Sequence, residues 1–129
     1  MKKLEISTNK KYQLIDITNE VSKVANELKS GIISVFTTHT TAAIIVTENE
    51  SNLKKDWLSI LESELKDRKF LHDKLDNNAK SHILGGMLGP EETLIVDDGL
   101  ILGTWQSVFL VELDGPRNRK VIIKSIKDD

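Results

Sequence analysis

Cysteine is absent from the chain, and that absence excludes disulfides, thiolate metal sites and cysteine nucleophiles. An excess of one charge is also missing. Lys and Arg number 18 against 20 Asp and Glu, a formal net charge of −2, which gives no general attraction to nucleic acid or an anionic membrane. No apolar run approaches the ~20 residues that a membrane helix needs. Met1-Lys2-Lys3 leads into Glu5 and further polar residues rather than an apolar signal core. The expected location is therefore the cytoplasm. There is no P-loop, no GxGxxG, no Gly-x-Ser-x-Gly and no paired-carboxylate motif of recognisable spacing. Internal repeats, linkers and low-complexity segments are missing as well, and Asp128-Asp129 reads as a trivial tail.

What is present suits one globular domain of 129 residues, with 39% hydrophobic and 29% charged side chains. The most informative stretch runs from Gly31 to Asn49. Two β-branched apolar runs, Ile32–Phe36 and Ala42–Val46, read as buried strands. Between them Thr37, Thr38, His39, Thr40 and Thr41 bring four hydroxyls and an imidazole together. Two readings fit. Hydroxyls can satisfy backbone groups at strand ends, or the cluster can form a polar pocket for a metal or an anion.

Taken in order, Lys3–Ser7 and Tyr12–Ile17 predict an opening hairpin around Thr8-Asn9-Lys10. Val21, Val24, Ala25 and Leu28 then predict a helix capped by Thr18 and stopped by Gly31. Asn49 and Ser51 offer caps for a second helix with Leu53, Trp57, Ile60, Leu61 and Leu65 on its inner face. Lys66–Lys80 has no apolar period. Asn77 or Asn78 can cap a third helix that runs to about Leu88. Gly85 and Gly86 inside it cost about 1 kcal/mol each against alanine, which implies close approach of another backbone or a short helix. Thr93–Val96 and Leu100–Leu102 are expected to face each other across Asp97-Asp98-Gly99, followed by strands at Ser107–Leu113 and Lys120–Ile126. The order ββαββααββββ predicts an α+β fold with antiparallel sheets and two to three helices.

The three histidines, His39, His72 and His82, are 33 and 10 residues apart, a spacing that matches no local zinc motif. A three-histidine site with an open position would still suit Zn²⁺ or a similar ion, and hydrogen-bonded structural histidines are the other reading. Glu48 ends a strand before a helix start. It is either a first-turn carboxylate favoured by the helix dipole or a general base. Arg117, Arg119 and Lys120 follow a turn and can either meet phosphate or face solvent. Trp105 reads as core or subunit interface.

Thr37-Thr38-His39-Thr40-Thr41-Ala42-Ala43, Leu102-Gly103-Thr104-Trp105-Gln106 and Glu112-Leu113-Asp114-Gly115-Pro116-Arg117 occur in this order. Together with His72-Asp73 and Asn78…His82-Ile83…Leu88-Gly89, they make the whole chain resemble the YjbQ-like family of secondary thiamine-phosphate synthases. One position departs from the family: Lys80 stands where many members have the first histidine of His-x-His. The resemblance implies a β-sandwich subunit assembled as a homotrimer. It implies a His-rich metal or anion site, with His39, His72 and His82 as metal ligands to a divalent ion, Zn²⁺ or Mg²⁺. Thr40, Thr41, Gln106 and Arg117 would bind substrate, and Glu48 would be catalytic. The implied reaction joins a hydroxymethylpyrimidine diphosphate to a thiazole phosphate, as a secondary activity. A metal-dependent hydrolase of a small phosphorylated or acyl substrate, or a non-catalytic trimeric anion-binding module, are the alternatives.

Overall fold

The computed structural model describes residues 1–128; Asp129, the end of the expected tail, lies outside the described residues. The fold is α+β, with two antiparallel sheets and three α-helices. In chain order the elements are β1 (Lys2–Ser7), β2 (Gln13–Asp16), α1 (Thr18–Asn26), β3 (Ser30–Thr37), β4 (Ala42–Glu48) and α2 (Ser51–Ser63). A short 3-10 helix (Leu71–Lys74) follows, then α3 (Ala79–Leu88), β5 (Glu91–Asp97), β6 (Gln106–Glu112) and β7 (Asn118–Lys127). The four-stranded sheet has the order β1-β7-β3-β5 and the three-stranded sheet the order β2-β6-β4.

Burial explains the two kinds of strand sequence. β3 alternates, with Ile33 and Val35 in the core between the sheets and Ile32 and Phe36 facing solvent. The three-stranded sheet is buried on both faces. Ala42, Ile44, Val108 and Leu110 pack toward the other sheet and α1. Ala43, Ile45, Phe109 and Val111 pack under Leu61 of α2 and Leu84 of α3. That is why β4 and β6 read as unbroken apolar runs.

Several local expectations change. β1 and β2 form no hairpin: β1 pairs with β7, and β2 pairs with β6 in the other sheet. Thr8 holds the crossing between them, its N–H donating to Arg117 O at 2.8 Å and its hydroxyl to Glu112 Oε1 at 2.6 Å. Thr18 begins α1 but does not cap it; its hydroxyl accepts the backbone N–H of Val108 instead. Gly31 lies in β3 rather than after α1. A Cβ there would stand 2.0 Å from Ile126 O, so glycine is needed for the close approach of β7. Glu50, not Asn49 or Ser51, caps α2, accepting the N–H groups of Asn52 and Leu53 at 3.0 and 2.6 Å. Ile60 faces solvent while Leu61 is buried. Leu100–Leu102 supplies only a bridge to Val96 and one further bond from Ile101 N to Ile95 O, so no strand forms there. The segment without apolar period contains the 3-10 helix, with Leu71 and Leu75 exposed. No helix among the described residues is long and apolar enough to cross a membrane.

Candidate functional site

β3 and β4 lie in different sheets, so the link between them must cross the end of the sandwich. This link carries Thr38, His39, Thr40 and Thr41. Gly85 of α3 packs against it: a Cβ there would meet Thr40 O at 2.8 Å and Ala42 O at 3.3 Å. Residues three apart share a helix face. The contact at Gly85 therefore brings His82 to the threonine loop. The third wall is the turn after β6, Pro116–Asn118, with Arg119 behind it. These segments enclose an open cavity of about 670 Å³. His39 and His82 also line a smaller, adjoining space of about 360 Å³.

Hydrogen bonds fix the chemistry of each imidazole. His39 Nε2 accepts the backbone N–H of Lys120 at 2.9 Å. An imidazole that accepts at Nε2 is neutral and carries its proton on Nδ1. Burial, followed by the nearby Arg119 charge, holds its pKa below the ordinary 6.5, against a smaller upward pull from Glu112. His72 Nε2 faces Asn78 Oδ1 at 2.9 Å, while Asn78 Nδ2 donates to Asp114 Oδ2 at 3.0 Å. The carboxylate fixes the amide orientation, so His72 must donate through Nε2–H. The rings of His72 and His82 meet edge to face, 4.8 Å between centroids.

Arg117 is half exposed. Its Nε donates to Asp114 O at 2.8 Å and its Nη2 to Asp114 Oδ2 at 3.0 Å. Burial pushes the Asp114 pKa up, but the bonds from Asn78 and Arg117 outweigh it and hold the carboxyl below its ordinary value. Deeper in, Arg119 and Glu112 form a buried ion pair with side chains 2% and 0% exposed. Thr41 is buried on the same guanidinium, which donates to its carbonyl at 3.0 Å and its hydroxyl at 2.8 Å.

The candidate residues thus divide. His39, Thr40, Thr41, His82 and Arg117 share the cavity, and His72 adjoins it through His82 and Asn78. Glu48 and Gln106 are partners in the register of β4 and β6, at the far end from Ala42. Six residue steps of strand put them about 20 Å from the loop within one chain. Trp105 beside them is 72% exposed and belongs to no core. Lys80, in place of the family's histidine, points toward α2, where its Nζ donates to Glu62 O at 2.5 Å.

Among the described residues no group of three or more His, Asp or Glu side chains is placed to hold a metal ion. The lone pair of His39 is engaged by the Lys120 N–H. Asn78, Asp114 and Glu112 were not singled out as site residues from sequence, and Arg119 was read only as a turn residue that could meet phosphate or face solvent. Asn78 looked like a helix cap, and nothing local distinguishes a buried Arg119 from an exposed one. The available signal was Glu112 closing an apolar strand, a position where a carboxylate needs a partner.

These features define a two-sheet α+β protein with a polar cavity at one end of the sandwich. A sequence model of the UPF0047 protein YjbQ-like family matches residues 2–128, and the chain belongs to that family. It is 43% identical to a UPF0047 protein of Methanothermobacter thermautotrophicus, over 92% of this chain and 85% of that one. It is 37% identical to the UPF0047 protein YugU of Bacillus subtilis, over 96% and 97%. Among solved structures, a YbjQ-like protein of unknown function from Sulfolobus solfataricus superposes with a TM-score of 0.94 at 35% identity, covering 98% of this chain and 96% of that one. A YjbQ/UPF0047 protein of Clostridium acetobutylicum gives 0.91, also at 35% identity, covering 98% and 100%.

Proposed function

We propose that the cavity binds a small phosphorylated substrate, and that the protein is a transferase of the thiamine-phosphate-synthase type that its resemblance implies. One observation carries the reading: the cavity wall is built of donors. His39 has only Nδ1–H to offer, Thr40 has a free hydroxyl, and Arg117 reaches in from the turn. Among the described residues Asp76 is the one carboxylate on the wall. The volume lies within the range of about 300–1,000 Å³ usual for small-molecule sites.

In the proposed reaction the thiazole nitrogen attacks the methylene carbon of the pyrimidine diphosphate. The C–N bond forms as the C–O bond breaks, and the electron pair leaves with pyrophosphate. Arg117 and the hydroxyls would hold the departing charge, and the cavity would keep the two partners in line. Incubation with both substrates, assayed for thiamine phosphate and pyrophosphate, tests this. Product formation supports the transferase; pyrophosphate without product identifies a hydrolase; saturable binding without turnover identifies a binding module. Running the assay with Mg²⁺, with Zn²⁺ and with a chelator tests the divalent ion.

Assembly as a homotrimer is part of the proposal. Ile126, Ile32 and Ile95 are register partners across β7, β3 and β5 on the solvent face of the four-stranded sheet, 58%, 41% and 60% exposed. Such a row favours a partner. In an assembly, the end carrying Glu48 and Gln106 can approach the cavity of a neighbouring copy. Light scattering should give about three times the chain mass of 14.5 kDa; a monomer mass would end the assembly claim.

A further inference from the structure

Arg119 is a buried cation whose donors are only partly used. Strand alternation at the start of β7 leaves Asn118 and Lys120 exposed and turns Arg119 inward. A guanidinium so buried has to have its charge and its N–H groups met. Nε donates to both carboxylate oxygens of Glu112, at 2.9 and 3.1 Å. Nη2 donates to Glu112 and to both oxygens of Thr41. Nη1 makes no hydrogen bond among the described residues. Among the described residues no fully buried side-chain nitrogen or oxygen lacks a partner, so Nη1 must border open space. Arg119 lines two spaces, the cavity and a hollow beside Glu5 and Ser7, and its guanidinium, held at Thr41 and Glu112, lies on the cavity side.

We infer that Arg119 Nη1 is an anion donor in the cavity floor, and that with Arg117 at the rim it selects a diphosphate over a single phosphate. The inference rests on the reading of the cavity as a phosphate site and names its ligand class. The two arginines are arranged alike. Arg117 spends Nε on the Asp114 backbone carbonyl and Nη2 on its carboxylate, and keeps Nη1. They are two residues apart, about 6.6 Å along an extended chain, and both line the cavity. They differ in rigidity. Arg119 is held by Glu112, which is itself fixed by the hydroxyl of Thr8 and the N–H groups of Leu113 and Asp114. A donor fixed before the ligand arrives loses little conformational freedom on binding.

The test is ¹H–¹⁵N spectroscopy of the arginine side chains in the full-length wild-type protein, titrated with inorganic pyrophosphate and, separately, orthophosphate. The chain has three arginines, so Arg68→Lys and Arg117→Lys assign the signals and leave those of Arg119 by elimination. Saturating pyrophosphate should shift the Nη signals of both arginines, and orthophosphate should bind more weakly. By calorimetry Arg119→Lys should weaken pyrophosphate binding about tenfold to a hundredfold, the value of one or two charged hydrogen bonds. Its single nitrogen would be taken by Glu112. If Arg119→Lys does not fold, the wild-type titration still decides. Arg119 signals that stay still while those of Arg117 move would overturn this inference and leave the cavity reading standing. Orthophosphate bound as tightly as pyrophosphate would overturn the diphosphate selectivity. No binding by the wild type would remove the cavity reading itself, and the inference with it.

Discussion

Asn78 and His72 face each other across 2.9 Å, and the amide of Asn78 is oriented by Asp114 on its other side. A residue at the start of α3 thus joins the 3-10 helix to the turn after β6. Asn78 makes no cap bond to its own helix; its side chain is committed to this bridge.

Removing the bridge should be costly. Asn78→Ala leaves Asp114 and His72 each short of a partner, and the expected loss is about 1–3 kcal/mol. Urea denaturation measures it. A loss below about 0.5 kcal/mol would class Asn78 with ordinary surface positions.

The two glycines of α3 should respond in opposite directions. Gly86 has nothing within 4 Å of an added Cβ, so Gly86→Ala should stabilise by up to about 1 kcal/mol through helix propensity. Gly85→Ala would push against Thr40 O and Ala42 O and should destabilise by about 1–3 kcal/mol. It should also displace the threonine loop and weaken anion binding. Equal effects of the two substitutions would mean that the packing of α3 on the loop is not as described.

Stability should fall in two steps as the pH is lowered. The pKa of His39 lies below 6.5 in the folded chain. Its contribution is therefore full above pH 6.5 and is lost as pH falls through the lower folded value. Glu112 is also depressed: burial works upward, but bonds from Arg119, Thr8 and the Asp114 N–H outweigh it. Its contribution, with that of Asp114, is present above the ordinary 4.5 and 3.8 and lost below them. Denaturation midpoints at about pH 7.5, 5.5 and 3.5 should fall at each step, and His39→Gln should remove only the first fall. A wild-type midpoint that does not change from 7.5 to 5.5 would refute the assignment to His39.

Strand and helix identity was legible where burial leaves a periodic trace. The runs Ile32–Phe36 and Ala42–Val46 are strands, and Gly85 marks a close backbone approach as its helix cost implied. Pairing was less legible. Nothing local in Lys3–Ser7 and Tyr12–Ile17 distinguishes a hairpin from two strands that go to different sheets; the bonds of Thr8 to Arg117 and Glu112 decide it. Capping by Glu50 was hidden by better cap residues, Asn49 and Ser51, on either side. At the site, His39 and the threonines stood out by composition. Arg119 was legible as a possible phosphate contact but not as a buried residue, because its burial depends on a carboxylate across the core, supplied by the other sheet.

The central claim is that the cavity binds a phosphorylated anion through Arg117. It is tested most directly by calorimetric titration of pyrophosphate into wild type, Arg117→Lys and Arg117→Ala. Arg117 is half exposed, so neither variant should lose more than about 1 kcal/mol of stability, and all three proteins should stay folded. The lysine keeps the charge but loses the planar fork. Saturable binding by the wild type, weaker binding by Arg117→Lys and weaker still by Arg117→Ala is the predicted result. Equal affinity in three folded proteins would contradict it.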